Sequence, residues 1–334
     1  MNHSKINGKI VLVSGGVGTI GSALVKKLVD DYTPREIRIF DNNEGGLFAA
    51  SRHYAQRKNI KFLFGDVKDK DRVIWALKGV DTVFHAAALK HVAFNEANPF
   101  ESVKTNVLGT QNMLEAALIN EVKIFVNIST DKAANPTSTM GASKLLTERL
   151  TTGAGHFNDT SKTIFTSVRF GNVLNSSGSV LPIFIEQLKN GGPITVTDKN
   201  MIRYFMTIDE AVKLIIQITS LAKGEEVFIL KMPLLKIIDL AEVLITDYAK
   251  KFGHNSRQIK IKIVGKRPGE NLYEKIVTKT EALKTLELKE MYILPNAHYN
   301  YYQRLGGKPV LPKGVMPDKL LDKKQIRQLL TKVL

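Results

Sequence analysis

A short apolar run followed by three closely spaced glycines is the feature that most constrains the fold of this chain. Residues 9–15 read KIVLVSG, which is rich in β-branched residues, and residues 19–30 carry apolar side chains at helical spacing. Gly15, Gly18 and Gly21 have the spacing G-x-x-G-x-x-G across the junction. We therefore predict a strand, a tight turn and a helix in that order.

Similar apolar runs recur along the first half of the chain. They occupy residues 37–40, 60–64, 82–88, 123–129 and 163–170. Most are separated by stretches with helical spacing, notably residues 101–120. Strands that alternate with helices pair in parallel, and strands that are apolar throughout belong to sheets covered on both faces. The pattern predicts an α/β fold built on a doubly wound parallel (Rossmann) sheet.

The alternation of strands and helices changes after Phe170, where residues 171–198 are rich in Gly, Ser and Asn and indicate loops. Later patterns predict a strand at 225–233, a helix at 237–252 and a strand at 259–265. We expect a Rossmann domain of residues 1–170, to which about 203–233 return. A smaller, sequence-interleaved substrate-binding lobe is expected from residues 171–202 and 234–334.

Composition excludes several classes of protein. Hydrophobic residues make up 43% and charged residues 24% of the chain, values typical of a globular protein. The absence of cysteine excludes disulfides and thiolate catalysis. The seven histidines are scattered and form no zinc-binding pattern, so no metal is expected.

The net charge of +16 is compatible with nucleic acid, an anionic membrane or an acidic small molecule. The lysines are scattered and become denser over residues 308–327, without the aromatic residues or motifs of nucleic-acid binding. We therefore predict a basic surface that suits a phosphate-bearing substrate, and no nucleic-acid partner. The N-terminus lacks a signal-peptide pattern and no apolar run reaches about 18 residues, so we expect a soluble, cytoplasmic protein without a membrane partner.

The glycine triplet also indicates a ligand. Glycines between a strand and a helix let a pyrophosphate approach the positive end of the helix dipole. Asp41 closes the second strand about 20 residues after Gly21, where a carboxylate binds the ribose hydroxyls of NAD and repels the 2′-phosphate of NADP. NAD is the favoured cofactor, but Arg52 or Lys61 could reach a phosphate, so NADP is possible. Alternatively, Asp41 simply begins the turn DNNEGG.

Together these stretches resemble the extended short-chain dehydrogenase/reductase superfamily. The resemblance is carried by GGVGTIG, by the pair Asp66-Val67, by HAAA at 85–88, by Asn106, and by M-x-x-x-K in place of Y-x-x-x-K. It implies a cofactor site formed by Gly15, Gly18, Thr19, Ile20, Gly21, Asp41, Asp66, Val67, Ala86, Ala87, Asn106 and Lys144.

A narrower group is more similar. The segments STDKAANPTSTMGASK, RFGNVLNSSGSV and KRPGENLYEKI resemble those of UDP-N-acetylglucosamine 4,6-dehydratases from bacterial glycan synthesis. The resemblance implies a UDP-sugar substrate, a recycled, tightly bound NAD and a homo-oligomer. It also implies a short soluble member of the group, because this sequence begins at its first Rossmann strand. The form with Met at position 140 is associated with retention of configuration at sugar C5.

Such a dehydratase removes hydride from C4, eliminates water across C5 and C6, and returns the hydride to C6. The elimination needs a base at C5 and an acid for the departing C6 hydroxyl. By resemblance Asp131 is the acid and Lys132 the base, at the carboxyl end of the fifth strand. A direct ion pair between the two would oppose these roles, because each charge would stabilise the charged form of the other.

The remaining catalytic positions are Thr130, Met140 and Lys144. Lys144 lies one helical turn after Met140 and by resemblance binds the nicotinamide ribose. Met140 cannot take the C4 hydroxyl proton, because a thioether is neither acidic nor basic. Either Thr130 relays that proton through water, or Asp131 acts first as base and later as acid.

The nucleotide sugar is expected to contact a further set of residues. Lys90 and His91 follow the fourth strand near the expected sugar pocket, whereas His85 within that strand is expected to be an interior residue. By resemblance Asn172 holds a phosphate or sugar group. Arg203 and Arg267 suit the diphosphate, because guanidinium groups match its oxygens, and Glu270 suits a ribose hydroxyl.

Three functions compete on these grounds. The first is a 4,6-dehydratase for UDP-N-acetylglucosamine, of the C5-retaining or alternatively the C5-inverting type. The second is a nucleotide-sugar 4-epimerase or reductase, which would depend on the missing Tyr. The third is a non-catalytic dinucleotide sensor, which would have no use for Asp131, Lys132 and Lys144.

Overall fold

The computed structural model describes residues 5–157, 162–310 and 320–334. The strands are β1 (Ile10–Ser14), β2 (Glu36–Asp41), β3 (Ile60–Phe64), β4 (Thr82–His85), β5 (Ile124–Ile128), β6 (Ile164–Arg169), β7 (Asn172–Val173), β8 (Ile194–Val196), β9 (Ile202–Met206), β10 (Glu226–Leu230), β11 (Leu234–Lys236), β12 (Ile261–Ile263), β13 (Leu286–Glu287), β14 (Met291–Pro295) and β15 (Lys308–Pro309).

The α-helices are α1 (Thr19–Asp31), α2 (Glu44–His53), α3 (Lys70–Ala76), α4 (Val92–Ala97), α5 (Pro99–Ser102), α6 (Gly109–Ile119), α7 (Thr139–Gly153), α8 (Val180–Lys189), α9 (Ile208–Leu221), α10 (Ile237–Tyr248), α11 (Lys279–Ala282), α12 (Tyr299–Arg304) and α13 (Lys323–Leu330). The helix predicted at 101–120 is interrupted, because a π-helix at Val103–Leu108 joins α5 to α6.

The main sheet has the order β15-β13-β14-β10-β6-β5-β4-β1-β2-β3. Its seven strands from β10 to β3 run parallel, and β14, β13 and β15 are added antiparallel beyond β10. Alternate side chains of β1 enter different cores. Val11 and Val13 pack with α1 and α9, whereas Leu12 packs with α3 and α6 on the other face. The predicted doubly wound parallel sheet is confirmed.

A third hydrophobic core lies outside the main sheet. It joins α8, α10 and α13 through side chains such as Phe184, Leu244 and Ile326. Two small sheets accompany it, with the orders β11-β9-β7 and β12-β8. All of these elements except β9 lie within residues 171–202 and 234–334, which are predicted to form the smaller lobe.

The proposed boundaries of the two parts change at two places. Residues 286–309 were expected in the smaller lobe, but their three strands extend the main sheet and cover the edge of β10. Residues 202–206 were expected to return to the main sheet from position 203, but they pair with β7 and β11. Neither pairing is readable from local sequence, because both join segments far apart in the chain.

Two further expectations concern membrane-spanning helices and the lysine-rich C-terminal segment. In the described residues, every helix is too short or too polar to cross a membrane. The basic segment 308–327 falls partly outside the described residues, which omit 311–319.

Candidate active site

An open cleft of about 620 Å³ follows the carboxyl ends of the parallel strands. Many of its lining residues come directly after β1, β2, β3, β4, β5 and β6, and others lie on α7. Doubly wound sheets bind their ligands at this edge, where neighbouring loops diverge to opposite faces of the sheet. The cleft is also within the size range of cofactor and substrate sites.

The turn between β1 and α1 requires its glycines. Gly15 has a φ of 65°, and a Cβ there would lie 2.7 Å from the backbone nitrogen of Ala87. A Cβ on Gly21 would lie 2.0 Å from the carbonyl oxygen of Gly15. The backbone is therefore packed too closely for side chains, and the start of α1 faces the cleft. The cleft wall here consists of Gly15, Gly18, Thr19, Ile20 and Gly21. This bare helix start fits the pyrophosphate of a dinucleotide.

Asp41 both lines the cleft and holds the glycine turn. Its Oδ2 accepts a hydrogen bond from the Val17 nitrogen at 3.1 Å, and its Oδ1 accepts one from the Asn43 nitrogen at 3.0 Å. The second contact begins the predicted turn DNNEGG. Asp41 can therefore begin this turn and still line the cleft where a ribose would bind. Asp66 and Val67 line the cleft beyond it.

The next part of the wall follows β4 and includes Ala86 and Ala87, whose backbone packs against Gly15. Lys90 and His91 line the cleft after them, and the Lys90 Nζ donates to the Ser177 carbonyl at 2.8 Å. The Ser177 nitrogen in turn donates to the Thr19 Oγ1 at 3.3 Å. These contacts hold the loop 176–179 across the cleft. Burial lowers the pKa of Lys90, and burial followed by the charge of Lys90 lowers the pKa of His91.

The floor of the cleft after β5 brings together Thr130, Asp131 and Lys132. Thr130 and Lys132 line the cleft, and Asp131 is fully buried beneath them. The Thr130 hydroxyl donates to Asp131 Oδ1 at 2.8 Å, and Lys132 Nζ lies 3.0 Å from the same oxygen. Asp131 and Lys132 therefore form the direct ion pair that would oppose their roles as acid and base.

The second oxygen of Asp131 has no hydrogen-bond partner among the described residues. It faces Gly171, which lines the cleft, and a Cβ on Gly171 would lie 3.3 Å from this oxygen. The same Cβ would lie 2.7 Å from the Cβ of Tyr204. The site therefore keeps a buried, unpaired acceptor next to the only residue type that leaves room beside it. Such an acceptor is costly unless a ligand or water satisfies it.

Met140 and Lys144 lie on one face of α7 and line the cleft. Burial lowers the pKa of Lys144 to about 8, and the Glu148 carboxylate one turn later opposes that shift. His85 lies behind this wall, where its two ring nitrogens contact Ser14 Oγ and Thr110 Oγ1. Burial, with a smaller effect of Lys144, lowers the pKa of His85 to about 3. His85 is thus the neutral interior residue that we expected.

Asn106 lies behind the cleft rather than in its surface. Its Oδ1 accepts from the Leu89 nitrogen at 2.7 Å, and its Nδ2 donates to the Leu89 carbonyl and to Ser143 Oγ. It therefore links the cleft-lining segment at Leu89 to α7, and any contact with a cofactor remains a prediction.

The predicted substrate residues separate into two groups. Asn172 lines the cleft and donates to the Tyr204 carbonyl at 3.1 Å. Arg203, Arg267 and Glu270 lie together outside the cleft wall, with Glu270 3.7 Å from Arg203 and accepting from the Arg267 nitrogen. The Arg203 guanidinium donates to three backbone carbonyls at 2.7–3.1 Å. A role for these three residues in diphosphate or ribose binding remains a prediction.

Sequence reasoning missed several buried charges beneath the site. Glu274 lies 4.0 Å from Lys132. Glu148 accepts from Ser129 Oγ at 2.5 Å and pairs with Arg169, which also pairs with Glu281. A signal was present for Glu148, since it follows Lys144 at helical spacing i, i+4. No group of three or more His, Asp or Glu that could hold a metal ion occurs in the part of the chain that the structure describes.

This fold and this cleft define an α/β protein of the extended short-chain dehydrogenase/reductase superfamily. The chain belongs to the family of polysaccharide biosynthesis proteins, which it matches over residues 11–296.

The relatives in sequence differ in their named activities. A protein of Methanocaldococcus jannaschii, named an uncharacterized membrane protein, is 52% identical over 86% of this chain and 85% of its own length. A UDP-N-acetylglucosamine 4,6-dehydratase (inverting) of Campylobacter jejuni is 36% identical over 86% and 83%. A UDP-glucose 4-epimerase of Rickettsia bellii is 38% identical over the same shares.

Solved structures share the whole fold. The X-ray structure of Pen from Bacillus thuringiensis has a TM-score of 0.91 and 41% identity, and the match covers 98% of both chains. The dTDP-glucose 4,6-dehydratase DesIV of Streptomyces venezuelae, solved with NAD and TYD bound, has a TM-score of 0.71 and 21% identity over 95% and 96%. At that identity the second match concerns the fold alone.

Proposed function

We propose that this chain is an NAD-dependent UDP-N-acetylglucosamine 4,6-dehydratase that retains the configuration at C5. The observation that carries the proposal is the arrangement at the end of β5. There a buried aspartate with one unpaired oxygen lies beside a lysine, in the floor of a cleft that also contains Met140 and Lys144. An epimerase has no use for an acid and a base at this place. The C. jejuni relative supports the substrate class, since its name gives the same reaction with inversion.

NAD rather than NADP is the cofactor that we propose. Asp41 lines the cleft beyond the glycine turn, where its charge would repel a 2′-phosphate. Neither of the two cations that could offset it lines the cleft. Lys61 pairs with Glu36 at 2.6 Å, and Arg52 lies over the ring of Phe48. When bound, NAD would accept the hydride from sugar C4 and return it to C6.

Thr130 and Asp131 form the proposed path for the C4 hydroxyl proton. The Thr130 hydroxyl lies at the cleft surface and already donates to Asp131. It can pass its own proton to Asp131 while it takes the proton of the sugar. The two alternatives that the sequence left open, a Thr130 relay and Asp131 as first base, then become one path.

Asp131 and Lys132 then carry out the elimination. Once Asp131 carries the C4 proton, it no longer favours the ammonium form of Lys132, which can release its proton to solvent at the open cleft surface. As the neutral amine Lys132 then takes the C5 proton, and protonated Asp131 gives its proton to the departing C6 hydroxyl, which leaves as water. The proton that Asp131 gains from the C4 oxygen is the one that it loses to the C6 oxygen. Lys132 returns its proton to C5 when the hydride arrives at C6, and return to the same face retains the configuration.

Incubation of the purified protein with UDP-N-acetylglucosamine tests the proposal. We expect a product lighter by one water, detected by mass spectrometry, with no net change in the redox state of the cofactor. NMR of the product at C5 separates retention from inversion. A product of unchanged mass would indicate the epimerase reaction, and the absence of turnover would indicate a dinucleotide sensor.

The double variant Asp131→Asn with Lys132→Ala tests the assignment of the site. It should bind UDP-N-acetylglucosamine as the parent protein does, measured by calorimetry, and leave the sugar intact. The matched control is Lys26→Ala with Asp30→Asn, which removes an exposed acid–base pair on α1 and should keep full turnover. Normal turnover by the first variant would refute the assignment.

A further inference from the structure

Lys132 lies between two buried carboxylates, and only one of them has a part in the proposed reaction. Its Nζ is 3.0 Å from Asp131 Oδ1 and 4.0 Å from Glu274 Oε1. The side chains of Asp131 and Glu274 are 0% and 4% exposed, whereas that of Lys132 is 19% exposed and lines the cleft. Buried carboxylates are rare without a partner, so the position of Glu274 needs an explanation.

Glu274 is held in place from the side away from Lys132. Its Oε2 accepts a hydrogen bond from Asn271 Nδ2 at 3.1 Å. The same Asn271 amide group donates to Thr137 Oγ1 at 3.0 Å, and its backbone carbonyl accepts from Arg203 at 2.7 Å. The segment that carries Glu274 is thus fixed against the loop that opens α7, and Oε1 is left directed at Lys132.

The charge of Asp131 changes during the proposed reaction. Glu274 does not line the cleft, so the reaction gives its carboxylate no proton. Once Asp131 has taken a proton, it is no longer an anion and no longer holds Lys132 by its charge. Glu274 is then the remaining carboxylate within 4.0 Å of the Lys132 nitrogen among the described residues. Without it, a flexible lysine side chain at the cleft surface would be free to leave the position from which it reaches C5.

We propose that Glu274 is a positioning residue: while Asp131 is protonated, the Glu274 carboxylate accepts an N–H of the neutral Lys132 amine and keeps that amine directed toward the substrate. The inference rests on the dehydratase function proposed above, and it adds a residue of the C-terminal half to the site. Glu274 does not touch the substrate; it acts through Lys132 alone.

Chemical labelling tests the contact without any turnover. Asp131→Asn gives the uncharged form of residue 131, and in this variant Glu274 should still restrain Lys132. Adding Glu274→Gln should raise the rate at which an amine-acylating reagent labels Lys132 several-fold, measured by peptide mass spectrometry at fixed pH. The labelling of Lys90, a second amine in the cleft, serves as the internal reference. An unchanged rate at Lys132 would overturn the inference, whether or not the protein is a dehydratase.

Turnover tests the role in the reaction. For Glu274→Gln we expect unchanged binding of NAD and UDP-N-acetylglucosamine and a kcat lower by about 100-fold, the effect of misplacing a reacting group by about 1 Å. Because C4 oxidation precedes the step that needs Lys132, absorbance of NADH at 340 nm should persist in this variant. Glu274→Asp, which keeps the charge, should restore part of the rate.

The matched control is Glu287→Gln, which removes the carboxylate of another Lys–Glu pair at the edge of the main sheet and should change neither readout. If the parent protein forms product and Glu274→Gln forms it equally fast, the inference is wrong. If the parent protein forms no product, the dehydratase proposal fails, and the labelling experiment alone decides whether Glu274 restrains Lys132.

Discussion

Lys144 is a buried cation beside the cleft, and its surroundings determine how strongly its charge is held. Burial lowers its pKa to about 8 from 10.5, and Glu148 on the same helix reduces the shift. His85 lies nearby on β4 as a neutral ring, so it adds no repelling positive charge. The folded protein therefore stabilises the ammonium less well than water does.

Replacing Lys144 should change how stability depends on pH. Between pH 8 and 10.5 the unfolded chain keeps this lysine protonated while the folded chain releases the proton, so the stability of the parent protein rises with pH in this range. Lys144→Met removes the group. We expect the variant to be more stable than the parent at pH 7 by up to about 3 kcal/mol, with the difference vanishing toward pH 10.5. Urea denaturation across this range measures it, and a difference independent of pH would contradict the expectation.

At the scale of elements, one buried guanidinium connects three segments that carry the site. Arg169 ends β6, pairs with Glu148 of α7 and Glu281 of α11, and donates to the carbonyl of Ile276. Glu148 in turn accepts from Ser129, the residue before Thr130. Burial alone would lower the pKa of Arg169, but the two carboxylates outweigh it and raise the pKa. The end of β5, α7 and the C-terminal segment are thus joined through a fully paired charge.

Removing this guanidinium should be costly. Arg169→Met leaves two carboxylates buried and facing each other, and we expect a loss of about 3–5 kcal/mol in the free energy of unfolding. The exposed pair of Lys70 and Glu115 provides a control, since Lys70→Met should cost less than about 1 kcal/mol. Urea denaturation of both variants checks the comparison, and similar losses would show that burial adds nothing to the Arg169 pairs.

At the scale of the whole molecule, the cleft is assembled from both halves of the chain. The main sheet supplies the strand ends, and the loop 176–179, which leads into α8 of the smaller lobe, crosses the cleft through contacts with Lys90 and Thr19. Glu274 reaches the same floor from the C-terminal half. A ligand in the cleft therefore contacts only the folded chain and should stabilise it as a unit.

Stabilisation by nucleotide should distinguish the two cofactors. At a free concentration of 100 times its Kd, NAD should raise the free energy of unfolding by about 2.7 kcal/mol. NADP at the same concentration should give a smaller increase, because Asp41 lines the cleft where the 2′-phosphate would lie. Thermal or urea denaturation of nucleotide-free protein measures both. An equal or larger effect of NADP would contradict the proposed preference.

Some strands and helices were easier to predict than others, because their own local sequence carries more of the pattern that forms them. The parallel strands were readable because they are rich in apolar and β-branched residues, most clearly in β1 and β5, whose residues are all buried. The π-helical turn at 103–108 and the antiparallel strands β13 to β15 were not. The π-helical turn has the same apolar spacing as an α-helix over so few residues. The strands β13 and β15 are two residues long and carry little pattern of their own, and β14 joins the main sheet only through the distant β10.

The sequence by itself determined the parallel sheet and the glycine turn. It also determined that Asp131 and Lys132 follow the fifth strand and that Lys144 lies one helical turn after Met140. These follow from local periodicity and from the close backbone contacts that only glycine allows. Tertiary structure alone decided which oxygen of Asp131 remains unpaired, that Arg203 bonds to backbone carbonyls, and that Glu274 faces Lys132. Such choices depend on burial and on partners distant in sequence, because a charge excluded from water must find its counter-charge wherever the fold brings one.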